Sequence, residues 1–220
     1  MNPPAQPVDV LIATTNRGKV AEIHALASQR GGAGAPGGLA RVRWRRLDEF
    51  PAVADSPEHG RTLEQNARQK ALHYAAATGL MILADDSGLE VDALDGRPGV
   101  DSAYFAGVPR DDAANNRKLV AALRRVPPER RTARFRCALA LALGDDVLLE
   151  CTGHVAGRIV DTPRGENGFG YDPHFLLPEL ERTMAELSPD EKNRLSHRGR
   201  ALRIMLDWLD ERLRQRAGAP

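Results

Sequence analysis

The chain has 220 residues, enough for one domain with a substantial hydrophobic core. Its 31 Lys and Arg against 30 Asp and Glu give a formal net charge of +1, which argues against a protein that mainly coats nucleic acid or an anionic membrane. No apolar run approaches the roughly 20 residues that cross a bilayer, and two cysteines make no disulfide framework. The start of the chain lacks a secretory pattern. We therefore expect a cytoplasmic protein with neither a nucleic-acid nor a membrane partner.

Strand and helix patterns alternate along the chain, which is typical of the α/β class with a mixed sheet. In chain order, the patterns predict a buried strand over 8–13, a helix from about 19, a flexible Gly-rich loop over 31–38, an exposed edge strand over 41–46, a helix over 62–78, a buried strand over 81–84, a helix from 111 or 112 to about 125, strands over 132–143 and 147–160, a short strand over 175–177 and a final amphipathic helix. Thr62 and Gln65 form a capping pattern, and Gly79 ends that helix. The turn Gly144–Asp146 predicts a hairpin.

The first polar cluster, Thr14–Lys19, joins the first strand to the helix that follows. Free backbone N–H groups and the positive end of the helix dipole favour an anion there, and Lys19 adds a charge. A phosphate group is the expected ligand, although the Walker A pattern is absent. The alternative is an ordinary helix cap beside a solvated lysine.

The second cluster, Asp85–Gly88, is predicted to follow the end of a buried strand. Adjacent carboxylates there lose solvation and repel each other, so a cation should compensate them. Mg²⁺ is the hard cation that usually accompanies phosphate groups. Because side chains alternate along a strand, we expect Asp86 to bind the metal and Asp85 to turn inward. The alternative is an Asx turn ended by Gly88.

A third cluster, Glu58–Gly60, precedes a helix and lies near Glu64 and Asn66 in the sequence. Glu58 is a candidate for a second carboxylate on the metal. The alternative is an exposed surface glutamate, which is the common case. The sequence has no HxH or HExxH spacing, which argues against a zinc site.

The fourth cluster combines the loop Gly165–Asp172 with Lys192 and the segment Ser196–Arg198. Its glycines allow a backbone to approach a flat ligand closely, and Phe169 is placed to stack on a nucleobase. The donors of Arg198 fit the O6 and N7 atoms of a purine. The alternative is a tight turn with a core phenylalanine.

Six segments, in this order, carry a resemblance to one family: TTNRGKVAEI, EHGRTLEQNA, ADDSGLEVDALDGRPGVDSAYFAG, FRCALAL, GENGFGYDPHF and MAELSPDEKNRLSHRGRAL. Together they resemble the inosine triphosphate pyrophosphatases, also called dITP/XTP pyrophosphatases, over nearly the whole chain. The sequence departs from the family at Thr15, where Gly or Ser is common, and at Asn167, where Gly is usual. The segment 31–38 resembles an insertion.

The resemblance implies a single domain over 1–220 with an elongated, two-lobed mixed sheet, flanking helices and a central nucleotide-binding cleft. It implies a homodimer that cleaves dITP, ITP and XTP to the monophosphate and pyrophosphate with Mg²⁺. Asp86 is implied as the catalytic base and, with Glu58, as a metal ligand. The implied substrate-binding residues are Thr14, Thr15, Asn16, Arg17, Gly18, Lys19, Ser87, Phe169, Gly170, Tyr171, Asp172, Lys192, His197 and Arg198.

Purine selection is expected to depend on the 6-position, where inosine and xanthosine carry an acceptor and adenosine carries a donor. If His197 and Arg198 both donate, an amino group leaves those donors unpaired, at about 1–3 kcal/mol each. A pocket of this kind can reject the wrong base by about 10⁴-fold. How guanine is excluded stays open.

Two other functions compete with this one. The first is a pyrophosphatase for other modified nucleotides, such as pyrimidine triphosphates. The second is a non-catalytic nucleotide- or nucleic-acid-binding module, in which the arginines within 41–46 and 124–136 form a basic face. The nearly equal number of acidic residues favours a solvated surface over such a face.

Overall fold

The computed structural model describes residues 6–31 and 38–218, and one seven-stranded sheet runs through them. The strands are β1 (Val8–Ala13), β2 (Val42–Arg46), β3 (Met81–Val91), β4 (Thr132–Leu143), β5 (Asp146–Ile159), β6 (Phe175–Leu177) and β7 (Arg182–Thr183), and the helices are α1 (Arg17–Gly31), α2 (Leu63–Thr78), α3 (Asp112–Leu123), α4 (Pro189–Leu195) and α5 (His197–Gly218). The sheet order is β2-β1-β3-β4-β5-β6-β7. The first three strands are parallel and the later pairs antiparallel, which confirms the predicted mixed α/β class.

Helices cover both faces of the sheet because apolar side chains on its strands alternate. In β1, Val10 and Ile12 pack with α1 and α5 on one face, while Leu11 and Ala13 pack with α2 on the other. A third apolar cluster joins α3 to the far part of the sheet. Within residues 6–31 and 38–218, no helix has the length and apolar character that a membrane span requires.

Local signals in the sequence located several elements correctly. Thr62 caps α2 by accepting a hydrogen bond from the backbone N–H of Gln65 at 3.1 Å, and Gly79 ends it with a left-handed φ of 68°. The Gly-rich loop predicted over 31–38 falls mostly on residues 32–37, outside the described residues. At its end, Gly38 is buried against α5, where an added Cβ would stand 2.5 Å from the carbonyl oxygen of Asp210.

The prediction that the third strand ends at residue 84 was wrong. β3 continues to Val91 because residues 82–91 pair in antiparallel register with residues 133–142 of β4. The alternative of an Asx turn at Gly88 is also wrong, since Gly88 lies inside the strand. A Cβ there would stand 2.2 Å from the carbonyl oxygen of Gly99, so glycine lets the following segment pack tightly on β3.

Candidate active site

A cleft opens at the carboxyl end of β1, where β3 continues past its last pair with β1 at Ala84. The predicted site residues that line it are Thr14, Thr15, Asn16, Lys19, Glu58, Asp86, Ser87, Phe169, Gly170, Tyr171, Asp172, Lys192, His197 and Arg198. Two predicted residues lie elsewhere: Arg17 is exposed beside a neighbouring groove, and Gly18 lies under the ring of Phe169. Four segments distant in sequence therefore meet at one place.

The loop after β1 is held by its own side chains. Asn16 Oδ1 accepts hydrogen bonds from the backbone N–H groups of Gly18 at 3.0 Å and Lys19 at 3.3 Å. Thr14 Oγ1 accepts one from the N–H of Asn16 at 3.2 Å. Two N–H groups that were expected to bind an anion are thus capped by Asn16. The positive charge at this wall of the cleft comes from Lys19.

Asp85 and Asp86 point to opposite sides of β3, as the alternation of a strand requires. Asp85 is 1% exposed; it pairs with Lys19 and accepts a hydrogen bond from Arg198 Nε at 2.8 Å. Burial alone raises the pKa of Asp85, but the charges of Arg198 and Lys19 outweigh it and hold this pKa well below its usual value. Asp85 is therefore an anchor for cations rather than a base.

The cations on this side of the cleft belong to a largely buried set of paired charges, which we call the ion network. Its members are Lys19, Lys192 and Arg198 with Glu22, Asp85 and Asp172. Glu22 joins two of the cations, with Oε1 2.8 Å from Lys192 Nζ and Oε2 paired with Arg198. Three positive charges meet three negative ones, so the network is neutral as a unit.

Arg198 has other partners than the sequence predicted. Its Nε bonds Asp85, its Nη1 bonds Glu22, and its Nη2 donates to Ser87 Oγ at 3.1 Å. The guanidinium is 1% exposed, with each nitrogen donating to a protein oxygen. The expectation of a fork of free donors for a purine is corrected in part here, because two carboxylates and a hydroxyl take three of the five guanidinium N–H groups.

The ring of Phe169 connects the two sides of the cleft. It lies over Lys192, with Nζ 4.5 Å from the ring centroid, in a cation–π contact. Arg198 Cζ lies 5.6 Å from the same centroid, and the ring also contacts Gly18, where an added Cβ would stand 2.5 Å from Phe169 Cδ1. Phe169 is half-buried, so it is not the core phenylalanine of the alternative interpretation, and a glycine at 18 is what permits this contact.

The loop that carries Phe169 is fixed from two directions. Asp172 Oδ2 accepts hydrogen bonds from the Phe169 N–H at 2.9 Å and from Lys192 Nζ at 2.5 Å. On α3, Asp112 accepts from the Gly170 N–H at 3.1 Å, and Asn116 donates to the Gly170 carbonyl at 2.9 Å. The loop is therefore a defined wall of the cleft.

His197 forms the floor of the cleft as a neutral imidazole. Burial and then the charge of Arg198 hold its pKa well below the usual value, and its ring stacks on Phe135 with centroids 4.9 Å apart. A neutral imidazole has a single N–H. The expectation that His197 and Arg198 both offer donors to a base is thus narrowed to one N–H from His197 and the two Arg198 N–H groups that donate to no oxygen in the described contacts.

Asp86 lies on the α2 side of β3, with Glu58, Lys70 and Asn66 around it. Its Oδ2 accepts a hydrogen bond from Asn66 Nδ2 at 3.1 Å. Its Oδ1 is 3.9 Å from Lys70 Nζ, which is too far for a hydrogen bond. Burial raises the pKa of Asp86 and outweighs the charges of Lys19 and Lys70, so its carboxylate is less well compensated than that of Asp85.

The residues around Asp86 fit a Mg²⁺ ion. Lys70 Nζ lies 2.8 Å from Glu58 Oε1 as well as near Asp86, so one cation already sits between these carboxylates. Mg²⁺ takes one or two protein carboxylates and completes its shell with water and substrate phosphates. Among the described residues, no three His, Cys, Asp or Glu side chains converge as a closed site needs. The donor set suits a magnesium that shares its ligands with a substrate.

Sequence reasoning did not identify Glu22 or Lys70, and it noted Asn66 only as a neighbour of Glu58. Glu22 follows Lys19 by three residues, a spacing that places both on one face of α1, and this was the available signal. Lys70 had none, because a single lysine on a helix is normally solvated. Its role follows from α2 packing against β3, which leaves it 7% exposed.

Acidic partners offset the arginines of the proposed basic face. Three arginines of the first stretch, 43, 45 and 46, pair with Asp9, Glu49 and Asp48. Three of the second stretch, 131, 134 and 136, pair with Asp161, Glu90 and Glu64. These pairs count against a module that binds nucleic acid through those arginines.

The fold and site define an α/β protein with a cleft for an anionic, phosphate-bearing ligand, bounded by lysines, a free carboxylate oxygen and an aromatic ring. The chain belongs to the Ham1 family, whose model matches residues 10–208. It is 46% identical over 201 residues to the dITP/XTP pyrophosphatase of Desulforamulus reducens, covering 91% of this chain and 95% of that protein. The dITP/XTP pyrophosphatase of Bacillus subtilis is 45% identical over 202 residues, with coverages of 92% and 97%.

Solved structures give the same result. The HAM1 protein from Coxiella burnetii superposes with a TM-score of 0.80 at 40% identity, over 93% of this chain and 99% of that one. The nucleoside-triphosphatase / dITP/XTP pyrophosphatase from Mycobacterium abscessus superposes with a TM-score of 0.70 at 42% identity, over 92% and 100%. The family resemblance predicted from six sequence segments is confirmed.

Proposed function

We propose that this protein hydrolyses dITP, ITP and XTP to the nucleoside monophosphate and pyrophosphate, and so removes deaminated purines from the nucleotide pool. The observation that carries the proposal is the convergence of Lys19, Lys70 and Lys192 with the Asp86 carboxylate in one cleft. Phosphoryl transfer needs mainly positioned groups and neutralised charge. The names of the Desulforamulus and Bacillus relatives support the choice of substrate.

In the proposed reaction, Asp86 is the general base. Asp86 lines the cleft, its Oδ1 has no hydrogen bond from Lys70, and its raised pKa makes it a better proton acceptor than an ordinary aspartate. Asp86 takes a proton from a water whose oxygen forms a bond to the α-phosphorus, the α–β phosphoanhydride bond breaks, and pyrophosphate leaves with the bonding electron pair. The cleft-lining residues that hold the triphosphate in place are Thr14, Thr15, Asn16, Lys19 and Ser87.

We propose Mg²⁺ as the cofactor, held by Asp86 and Glu58. When bound, the ion neutralises phosphate charge and lowers the pKa of a bound water. Lys19, Lys70 and Lys192 supply the remaining positive charge. Lys70 has its own pKa raised, because the charges of Asp86 and Glu58 outweigh the effect of its burial, so it stays protonated and available to phosphate oxygens.

The base is proposed to lie against Phe169, near Tyr171, Asp172, Lys192 and His197. In the tautomer that points its N–H at the base, a neutral His197 suits a 6-oxo acceptor and leaves a 6-amino group unpaired. We expect Phe169→Ala to raise KM for ITP by about 10- to 100-fold, because base–aromatic stacking contributes about 1–3 kcal/mol. Steady-state kinetics measure this change. Phe169→Trp keeps a stacking surface and should stay within a few-fold of wild type; an unchanged KM in Phe169→Ala would move base recognition elsewhere.

We also propose that the chain acts as one domain in a cytoplasmic homodimer, without a nucleic-acid or membrane partner. Free nucleoside triphosphates, the proposed substrates, are a cytoplasmic pool, and the family resemblance supports a dimer. Light scattering on the purified protein gives the mass of the assembly and distinguishes one copy of 24.0 kDa from two.

A substrate panel tests the activity. Pyrophosphate release is measured with ITP, XTP, ATP, GTP and dTTP at saturating Mg²⁺. We expect kcat/KM for ITP and XTP to exceed that for ATP by at least about 10²-fold, since a hydrogen-bonding pocket can reach about 10⁴-fold. Preference for dTTP, the pyrimidine of the panel, would favour the other pyrophosphatase function. Tight DNA binding without turnover would favour the non-catalytic module.

A further inference from the structure

We propose that Asn66 is a positioning residue. It holds the loop that carries Glu58 and the carboxylate of Asp86 in a fixed position relative to each other. The inference rests on the proposed function, in which Glu58 and Asp86 share the metal. Asn66 lies in the first turns of α2 and is 3% exposed. Among the described contacts, its side chain is the one that hydrogen-bonds both the loop and Asp86; Lys70 also reaches both, but it is 2.8 Å from Glu58 and 3.9 Å from Asp86.

The chemistry of its partners fixes how the Asn66 amide is oriented. A carboxylate only accepts hydrogen bonds, so the Nδ2 side must face Asp86, and it donates to Oδ2 at 3.1 Å. The Oδ1 side accepts from the backbone N–H of Gly60 at 2.7 Å. A flipped amide would lose both bonds. One planar group thus ties a strand to a loop.

The Asn66 bond selects which oxygen of Asp86 faces the cleft. With Oδ2 bonded to Asn66, Oδ1 is left without a hydrogen bond in the described contacts, 3.9 Å from Lys70 Nζ, and Asp86 lines the cleft. A metal ligand and general base needs one oxygen free at a defined position, and groups that orient ligands in this way typically affect metal affinity or activity by about 10- to 100-fold. Asn66 supplies that orientation.

The loop side of the contact is equally tight. Gly60 follows Glu58 by two residues, and a Cβ on Gly60 would stand 2.5 Å from Asn66 Oδ1 and 2.8 Å from Gln65 Cβ. Gly60→Ala therefore displaces the loop from the amide while leaving Asn66 itself in place. A second tether, Gln65 Oε1 accepting from the Arg61 N–H at 2.8 Å, holds the same loop without touching Asp86. Gln65→Ala is thus a matched control.

The experiment compares Asn66→Leu, Gly60→Ala and Gln65→Ala with wild type. Direct Mn²⁺ binding is followed by electron paramagnetic resonance without nucleotide, and kcat for ITP is measured as a function of Mg²⁺ concentration. We expect Asn66→Leu to weaken Mn²⁺ binding and to raise the Mg²⁺ concentration for half-maximal rate, each by about 10- to 100-fold. Gly60→Ala should move both in the same direction, and Gln65→Ala should leave both within about 2-fold.

Several outcomes overturn the inference. Wild-type metal dependence in a folded Asn66→Leu protein would do so, as would an equal loss in Gln65→Ala, which would indicate general loosening of the loop. Absence of Mn²⁺ binding by wild type would also contradict it. Should Asn66→Leu fail to fold, Gly60→Ala decides the question. If Asn66→Leu weakens Mn²⁺ binding but the wild-type protein hydrolyses no 6-oxopurine nucleotide, the inference stands and the proposed function is rejected.

Discussion

Asp86→Asn is expected to lower kcat for ITP hydrolysis by about 10³-fold, within the range for loss of a general base, while the free energy of unfolding stays at or above the wild-type value. The amide can neither take the proton of the attacking water nor serve as an anionic metal ligand. Stability should not fall, because burial raises the pKa of Asp86, so its charge is less favourable in the folded protein than in the unfolded chain.

Pyrophosphate release at saturating Mg²⁺ measures the first effect, and urea denaturation at pH 7 measures the second. Asp145→Asn, at the exposed tip of the β4–β5 hairpin, is the control for losing a carboxylate outside the cleft, and it should match wild type in both. Near-wild-type kcat in Asp86→Asn would remove this residue from the mechanism.

Asp85→Asn is expected to have the opposite pattern, with a loss of about 3–5 kcal/mol in the free energy of unfolding, the usual result of removing one partner of a buried ion pair. The substitution keeps the volume of the side chain and leaves Arg198 and Lys19 without their carboxylate. The Cys137 thiol and the Ser87 hydroxyl, which donate to Asp85 at 3.2 Å and 2.8 Å, lose a charged acceptor as well. Denaturation curves at pH 7 measure the loss, and a change below about 1 kcal/mol would contradict it.

The difference in the free energy of unfolding between wild type and Asp85→Asn should become smaller as the pH falls. The folded-state pKa of Asp85 is held well below its usual value, so its contribution is fully present above the unfolded-state pKa of about 3.9. The contribution is lost as pH falls below that value toward the folded-state pKa. We therefore expect a full difference at pH 7 and a smaller one at pH 3. A constant difference across this range would contradict the ion pairing.

Asp86 is expected to serve catalysis and the adjacent Asp85 to serve stability, because β3 continues through both residues. Successive side chains of a strand face opposite sides of the sheet, so Asp85 enters the ion network on the α1 and α5 side and Asp86 meets Asn66 and Lys70 on the α2 side. Their environments shift the two pKa values in opposite directions. Such divergence between neighbouring carboxyl groups is how one site keeps an anchor and a base.

The site was predicted from sequence as a set of residues, but their partners were not. Phe169 was expected to stand free for a base, and the structure adds its contact with Gly18. Arg198 was expected to offer free donors, and the structure pairs it with Asp85 and Glu22. Both differences arise from contacts between segments more than a hundred residues apart, and nothing in the local pattern indicates them.

The amino-acid sequence by itself determined the mixed α/β class, the caps of α2, the β4–β5 hairpin and the segments that line the cleft. Each of these depends on periodicity, turn chemistry or motif strings within a short stretch of chain. Only the tertiary structure decided the length of β3, the ion network and the contact of Asn66 with Asp86. Strand length there depends on pairing with β4, and the burial of a charge depends on what packs over it, so both are set by neighbours that are distant in sequence.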